Sequence, residues 1–259
     1  MTGRSRGRPR KFEIDEARQR LLDSGRRTLR EHGVRSGLDA VTLDGAIADS
    51  QVPRGSAYAL WRDYEESPQQ AFREAVVVDV LTMPATVGLP ATQAFAATQL
   101  APHLHVIESG TPEERMPIMQ DLMRVVGSFN FENLDSGVNW PIYSALRTAA
   151  TTRPDTPQKV VDAVRTGEEY LIEEYAKFYT DMAALFRLKL RPEFTMNEFS
   201  ACMYAVNEGL ANRAATNYRR RGIPLASGVD GAELDWSLSA VAFEALTARF
   251  FVPEEHADF

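Results

Sequence analysis

The chain has a single cysteine, Cys202, among its 259 residues, so it cannot form an internal disulfide bond. It also lacks a run of 18 apolar residues, which is about the length that a helix needs to cross a membrane. The first ten residues, MTGRSRGRPR, are basic, and the absence of an apolar segment after them argues against a secretory signal. These absences predict a protein of the reducing cytoplasm that has no membrane partner.

The sequence motifs of common catalytic and cofactor sites are missing as well. There is no glycine-rich phosphate loop, no nucleophile elbow and no HExxH metal motif. His103 and His105 form the one close histidine pair, and on a helix their rings would point about 200° apart. We therefore expect no enzyme activity, no metal site and no cofactor. Cys202 lies within an apolar stripe and is predicted to be a buried thiol.

Charge is distributed unevenly along the chain, although the net charge is only −7. Residues 1–62 contain 13 basic and 8 acidic residues, whereas residues 63–259 contain 16 basic and 28 acidic ones. A basic head on an acidic body indicates that the head binds a polyanion. Residues 1–12 are predicted to be a disordered basic arm, in which Arg8, Arg10 and Lys11 suit a narrow minor groove of DNA. A solvated tail without a partner is the alternative.

Apolar residues recur at helical spacing through most of the chain, and alternating runs typical of strands are missing. We therefore predict an all-α fold without a sheet. After a helix over 13–32, Thr42 is expected to cap a two-turn helix. Further helices are predicted over 52–60, 68–82, 91–108, 112–130, 140–152, 158–188, 196–221 and 234–252. The segment GIPLASGVDGA, between the last two of these, is predicted to be a loop.

The stretch VPRGSAYALW, Val52–Trp61, is too short for a core helix and too apolar for an ordinary loop. Two short helices joined by a tight turn, after a longer helix, follow the helix-turn-helix plan, in which the second short helix enters the major groove. The inner face of this helix would be formed by Val52, Ala57 and Trp61. Its outer face would present Arg54, Ser56 and Tyr58 to phosphates and base edges, and Gly55 would let the backbone approach a phosphate.

Three segments follow one another in the chain: LLDSGRRTLREHG (Leu21–Gly33), TLDGAIADSQV (Thr42–Val52) and PRGSAYALW (Pro53–Trp61). Together they resemble the DNA-binding head of the TetR family of bacterial transcription regulators. The resemblance covers about residues 13–75, and the DNA-binding domain is predicted over 13–64. The resemblance implies phosphate contacts by Thr42, Ser56 and Tyr58, and it adds the aromatic Trp61 to the DNA-binding set. The chain departs from the family at Gln51, where a glycine is usual, so the turn is expected to be strained or reshaped. Tyr64 stands where the family places a lysine.

Residues 65–259 resemble the regulatory domain of the same family. The resemblance implies a helical domain that forms a homodimer through its last two helices and encloses an apolar cavity for a small effector. Apolar stripes on 196–221 and 234–252 suit that dimer, although they could equally be buried within one subunit. The candidate ligand-binding residues are Phe95, Met119, Met123, Phe129, Trp140, Tyr143, Tyr175 and Phe178. Filling a core is the alternative role for each of them.

The sequence as a whole predicts a cytoplasmic, nucleoid-associated transcription regulator that binds a double-stranded DNA operator as a homodimer. We expect a repressor that a small apolar effector releases from its operator. The alternative is a helical ligand-binding or dimerisation protein whose DNA-binding head is degenerate, as the alanines of 52–60 suggest. A helical enzyme that uses the same fold is a third possibility, which no motif supports.

Overall fold

A computed structural model of the protein describes residues 12–34, 38–62, 64–83, 88–137, 140–214, 222–226 and 233–257. The described residues are mostly helical, which confirms the all-α fold class. The arm residues Arg8, Arg10 and Lys11 lie outside the described residues, so their predicted role stays a prediction. None of the described helices combines the length and the apolar character that a membrane crossing requires.

The helices lie close to their predicted positions. They are α1 (Ile14–His32), α2 (Leu43–Ser50), α3 (Arg54–Ala59), α4 (Pro68–Met83), α5 (Leu89–Leu100), α6 (Leu104–Ser109), α7 (Pro112–Gly137), α8 (Trp140–Thr152), α9 (Gln158–Leu185), α10 (Met196–Ala214) and α11 (Leu238–Phe250). The helix predicted over 91–108 is interrupted by a short 3₁₀ turn, Ala101–His103. Pro102 lies in that turn and lacks the N–H that an uninterrupted helix would need.

The prediction of a chain without strands is wrong. Two short antiparallel pairs are present: β1 (Leu188–Leu190) pairs with β4 (Phe251–Pro253), and β2 (Ile223–Ala226) pairs with β3 (Glu233–Trp236). Leu190 faces Phe251 in the first register, and Ile223 faces Trp236 in the second. The second pair uses residues that we predicted to be a loop. Segments of three or four residues are too short for an alternating pattern to become visible in the sequence.

The chain folds into two compact units. The first unit consists of two segments, namely the residues up to Leu81 and Ala145–Val161. The second consists of Thr82–Ser144 and Asp162–Phe259. The predicted boundary after residue 64, between the DNA-binding and regulatory domains, stays a prediction.

Helices α1, α2 and α3 of the first unit pack on one another. Their core contains Leu21, Leu29, Leu43, Val52, Ala57 and Trp61. Helices α1 and α4 also approach closely, because a Cβ added at Gly25 would lie 2.5 Å from Cγ2 of Val76. The ring of Trp61 meets Phe72 of α4 edge-on, with 5.2 Å between the ring centroids. The apolar side of the short helices is thus fixed against α1 and α4.

Three local sequence signals of the first unit have the expected geometry. Thr42 caps α2, since its Oγ1 accepts a hydrogen bond of 3.1 Å from the backbone N–H of Gly45. Gly33 ends α1 with a φ of 66° and donates its N–H to the Leu29 carbonyl. Gln51 adopts the left-handed conformation, with φ 59° and ψ 17°, as expected for a strained turn at the usual position of a glycine.

The second unit has its core among α5, α7, α9, α10 and α11. Phe199 and Met203 of α10 and Phe250 of α11 are buried in this core, so part of the two predicted dimer stripes lies inside one subunit. Cys202 is exposed, and its prediction as a buried thiol is wrong. It lies on the side of α10 that carries the exposed Ala205 and Gly209, whereas the next residue, Met203, is buried.

Candidate nucleic-acid interface and effector cavity

Helix α3 has one buried side and one exposed side. Val52, Ala57 and Trp61 are buried, whereas Arg54, Gly55 and Ser56 are exposed and Tyr58 is half-buried. This division is the one predicted from the sequence. The assignment of Trp61 to the DNA-contacting set is wrong, because its side chain is 0% exposed and packs on Phe72. Trp61 holds α3 in place and cannot reach a ligand outside the core.

The exposed side of α3 is open at its first turn. A Cβ added at Gly55 would have no heavy atom of the described structure within 4 Å. Packing within the protein therefore does not require glycine at this position. The glycine would have a role if the backbone of α3 had to approach a partner group closely, for example a phosphate.

A carboxylate of α2 joins Arg54 and Tyr58, although no part of the sequence suggested this contact. The Tyr58 hydroxyl donates to Oδ1 of Asp44 at 3.0 Å, and a guanidinium nitrogen of Arg54 lies 3.2 Å from the same oxygen. The Arg54 guanidinium also lies 5.1 Å from the centre of the Tyr58 ring. Asp44 is exposed and stands 10 residues before Arg54 in the chain. It orders both side chains and partly neutralises the cation.

The start of α2 is held by side chains from α4. The amide of Gln69 accepts from the backbone N–H of Leu43 at 2.7 Å and donates to the Val41 carbonyl at 2.9 Å. Arg73 donates from Nε to the same carbonyl at 3.0 Å. The exposed hydroxyl of Thr42 uses a lone pair in its cap, so its own proton remains available to an external acceptor.

Tyr64, at the family's lysine position, is 42% exposed. Its ring lies 5.7 Å from Nζ of Lys159, which also pairs with Glu66 and Glu74. The hydrogen bond from Lys159 lowers the pKa of Glu66, and the bond to Glu74 raises the pKa of Lys159 itself. A lysine is thus present beside Tyr64, supplied by residue 159, and it is bound to carboxylates.

The second unit contains an apolar cavity of about 60 Å³. It is lined by Ala96, Met119, Leu122, Met123, Val126, Phe178, Tyr179, Met182, Ala183, Phe186, Leu188, Phe199, Phe243, Thr247 and Phe251. Met119, Met123 and Phe178 are the three predicted ligand-binding residues among them. Sequence reasoning missed most of the lining because the contributing residues come from separate helices, whose mutual positions only the fold determines.

The other predicted ligand-binding residues lie elsewhere in the second unit. Phe95 and Phe129 stack on each other with 4.2 Å between ring centroids. Trp140 packs on Tyr143 and donates from Nε1 to Asn212 at 3.0 Å. These four side chains are not among those that line the apolar cavity of the described structure. Their predicted ligand contacts stay predictions.

Tyr175 belongs to a cluster of buried, hydrogen-bonded polar side chains next to the cavity. Its hydroxyl donates to Oδ1 of Asn130 at 2.8 Å, and Oγ1 of Thr92 lies 2.9 Å from the same oxygen. Burial raises the pKa of Tyr175 to about 12. It lines a space of about 10 Å³ rather than the apolar cavity, and that space is close to the size of one water molecule. Tyr175 thus lines this small space and not the apolar cavity, and its predicted ligand contact stays a prediction.

The first unit contains a larger and more open cavity of about 290 Å³. Its charged lining residues have partners within that unit. Arg153 pairs with Asp155 at 2.7 Å, and Glu74 pairs with Lys159 and accepts from Gln70 at 2.8 Å. These contacts compensate the charges of Glu74, Arg153 and Asp155 in a lining that is otherwise mostly apolar.

Over the described ranges, no cluster of three or more His, Cys, Asp or Glu side chains could hold a metal ion. No protein-family model matches the chain, and no curated protein matches it. The resemblance of the head therefore rests on the three quoted segments.

Proposed function

We propose that the chain is a ligand-responsive transcription regulator that binds double-stranded operator DNA in the cytoplasm as a homodimer. In this proposal, α1–α3 form a helix-turn-helix reader, α3 enters the major groove, and a small apolar effector releases a repressor from its operator. The observation that carries the proposal is the division of α3 between a buried side and an exposed side bearing Arg54, Gly55, Ser56 and Tyr58.

The exposed side of α3 has suitable chemistry for a duplex. Arg54 can bind phosphate or guanine, and the hydroxyls of Ser56 and Tyr58 can donate to phosphate oxygens. The major groove is about 12 Å wide and admits one helix. The excess of basic residues over 1–62 supplies the sequence-independent attraction on which such binding depends.

The dimer part of the proposal is supported by an exposed strip on α10. Cys202, Ala205 and Gly209 are exposed there at helical spacing, and Leu238 at the start of α11 is 38% exposed. Small side chains let two helices approach closely, and a two-fold axis would pair α10 and α11 with their copies. Two heads would then read half-sites about 34 Å apart, which is one turn of the duplex.

Release of DNA would follow from a shift between two conformations. An effector can shift the equilibrium between these conformations only by as much as its binding free energies to the two differ. A coupling free energy of about 1–3 kcal/mol between effector and DNA binding would weaken DNA binding roughly 5- to 150-fold. Gln69 and Arg73 support such coupling, because both hydrogen-bond to the Val41 carbonyl at the start of α2. A movement of α4 would therefore pull on α2.

One observation favours the alternative of a degenerate head. Asp44 places a negative charge on the exposed side that would face the phosphates, and it occupies both Arg54 and Tyr58. If the protein only binds a ligand and dimerises, such a carboxylate would impair neither of these activities.

A mobility-shift assay separates the two functions. The full chain is mixed with duplex DNA from upstream of its own gene at two salt concentrations, with unrelated duplex as competitor. Specific binding should persist at the higher salt and should be lost in Tyr58→Ala. Tyr170→Ala is the matched control, because Tyr170 is a 50% exposed tyrosine on α9. Equal binding by both variants, or equal competition by unrelated duplex, would favour the degenerate head.

A further inference from the structure

A buried hydroxyl in the wall of the apolar cavity has no hydrogen-bond partner. Thr247 of α11 lines the cavity, is only 7% exposed, and its Oγ1 bonds to no atom of the described structure. Leaving a buried hydroxyl without a partner is unfavourable, and native proteins rarely do so. This hydroxyl is therefore a candidate for recognition of a bound molecule.

Other threonines of the chain show how the hydroxyl of a helical threonine is ordinarily satisfied. Thr98 donates to the Ala94 carbonyl at 3.0 Å, and Thr180 donates to the Ala176 carbonyl at 2.7 Å. Each uses the carbonyl four residues earlier in its own helix. Thr247 could use the Phe243 carbonyl in the same way but does not.

The remaining lining restricts the kind of molecule that fits. No side chain with a formal charge lines the cavity, so an ion would be buried without a counter-charge, which is strongly unfavourable. Tyr179 also lines it, and burial keeps the pKa of this tyrosine well above its ordinary value, so its hydroxyl stays neutral. The surroundings favour an uncharged and mostly apolar molecule.

The cavity also restricts the size of the molecule. A water molecule needs about 10–15 Å³ measured in the same way, so a cavity of about 60 Å³ holds roughly four to six groups of that size. Met119, Met123 and Met182 are flexible and can adapt to an irregular outline. An apolar cavity of about 150 Å³ binds benzene. A molecule with a single ring is therefore the upper size limit here, and it enters only as these methionines move aside.

We propose that the cavity binds a compact, uncharged, single-ring molecule of the phenol class, with its one hydrogen-bonding group at the Thr247 hydroxyl. The role of this molecule as the effector rests on the proposed function, whereas its binding does not. Thr247 acts as the specificity-determining residue, because it distinguishes a ring that carries a hydroxyl from the same ring that carries a methyl group.

The test compares two probes of the same shape on two forms of the protein. Phenol and toluene are titrated calorimetrically into the full chain and into Thr247→Val, which keeps a similar side-chain outline without the hydroxyl. Phenol should bind the unchanged protein about 5- to 10-fold more tightly than the variant, as expected for one hydrogen bond. Toluene should bind the variant at least as well as the unchanged protein, and Thr247→Ser should retain the preference for phenol.

Several results would overturn the proposal. They are an absence of saturable binding by phenol, or a phenol affinity that Thr247→Val leaves unchanged. A lower melting temperature of unliganded Thr247→Val would also contradict it, because an unpartnered hydroxyl can be removed without losing a hydrogen bond. All titrations are done without DNA, so they test the cavity even if the chain binds no operator. The mobility-shift assay in turn tests DNA binding without phenol.

Discussion

Tyr58 of α3 donates its hydroxyl hydrogen bond to Asp44 of α2 across 3.0 Å. The same carboxylate oxygen pairs with Arg54, so one acid orders both side chains that we propose as DNA contacts. In the proposed complex, phosphates would compete with Asp44 for both. In that proposal, Asp44 would set how strongly the free protein attracts any duplex.

The substitution Asp44→Asn should strengthen binding to unrelated duplex at low salt by about 3- to 10-fold, because it removes a repulsive charge and frees Arg54. The plot of log affinity against log salt should steepen by about one unit, since one more cation would displace counterions. Fluorescence anisotropy over a range of salt concentrations measures both quantities.

The matched control is Asp49→Asn, which removes the same charge from the same helix. Asp49 faces α1, where side-chain hydrogen bonds from Ser24 and Arg27 hold its pKa below the ordinary value. Equal effects of the two substitutions would mean that Asp44 has no special place at the DNA interface.

Gly55→Ala should separate folding from DNA binding. The added methyl group meets nothing within 4 Å in the described structure, and alanine is favoured over glycine in a helix by about 1 kcal/mol. The free energy of unfolding should therefore stay equal or rise slightly, while affinity for duplex falls because the backbone can no longer approach a phosphate. Urea unfolding and anisotropy measure the two effects.

Gly25→Ala provides the opposite case. Its methyl group would lie 2.5 Å from Val76, so the packing of α1 on α4 must shift, at a cost of about 1–3 kcal/mol. The folded fraction of Gly25→Ala should bind duplex DNA with the same affinity as the unchanged protein. If Gly55→Ala binds duplex as well as the unchanged protein, close approach at this glycine does not occur.

The exposed strip on α10 leads to a prediction about assembly. Gly209→Trp introduces a bulky side chain where a Cβ has no neighbour within 4 Å in the described structure, so the subunit should keep its fold. In the proposed dimer, that side chain would collide with the second copy. Light scattering should find a dimer for the unchanged chain and for Gly209→Ala, and a monomer for Gly209→Trp. A dimeric tryptophan variant would place the interface elsewhere.

The buried hydroxyl of Tyr175 predicts a pH dependence of stability. Burial raises its pKa from 10.0 to about 12, so the folded state holds the proton more tightly than the unfolded state. The resulting stabilisation is complete below pH 10 and is lost as the pH rises from about 10 to 12, with a total of up to ~3 kcal/mol. Tyr175→Phe removes this contribution. The difference in unfolding free energy between the two proteins should shrink between pH 9 and 11.5, and a constant difference would contradict the assigned pKa.

Features that depend on neighbouring residues could be predicted from the sequence. The Thr42 cap and the end of α1 at Gly33 each follow from side-chain chemistry within a few positions. The reshaped turn at Gln51 follows only from the resemblance, which places a glycine there. The two sides of α3 follow from helical periodicity in the same way. These features place Arg54 and Tyr58 on an exposed surface before any tertiary contact is known.

Features that depend on tertiary contacts could not be predicted. Asp44 and Tyr58 are 14 residues apart and meet only because α2 and α3 pack at a particular angle. Thr247 resembles other helical threonines in the sequence, and its unpartnered hydroxyl becomes evident only once the surrounding side chains are placed. The strands β1 and β4 are separated by more than 60 residues and are stabilised by pairing that no local pattern records.

The most direct test of the proposed reader is selection of bound duplexes from a random-sequence library by the full chain. We expect enrichment of an inverted repeat whose half-sites lie about one helical turn apart, and no enrichment with Tyr58→Ala. Tyr170→Ala, as the control, should select the same repeat as the unchanged chain. A pool that stays random, or a pool that Tyr58→Ala enriches equally well, would contradict the assignment of α3 as a DNA-reading helix.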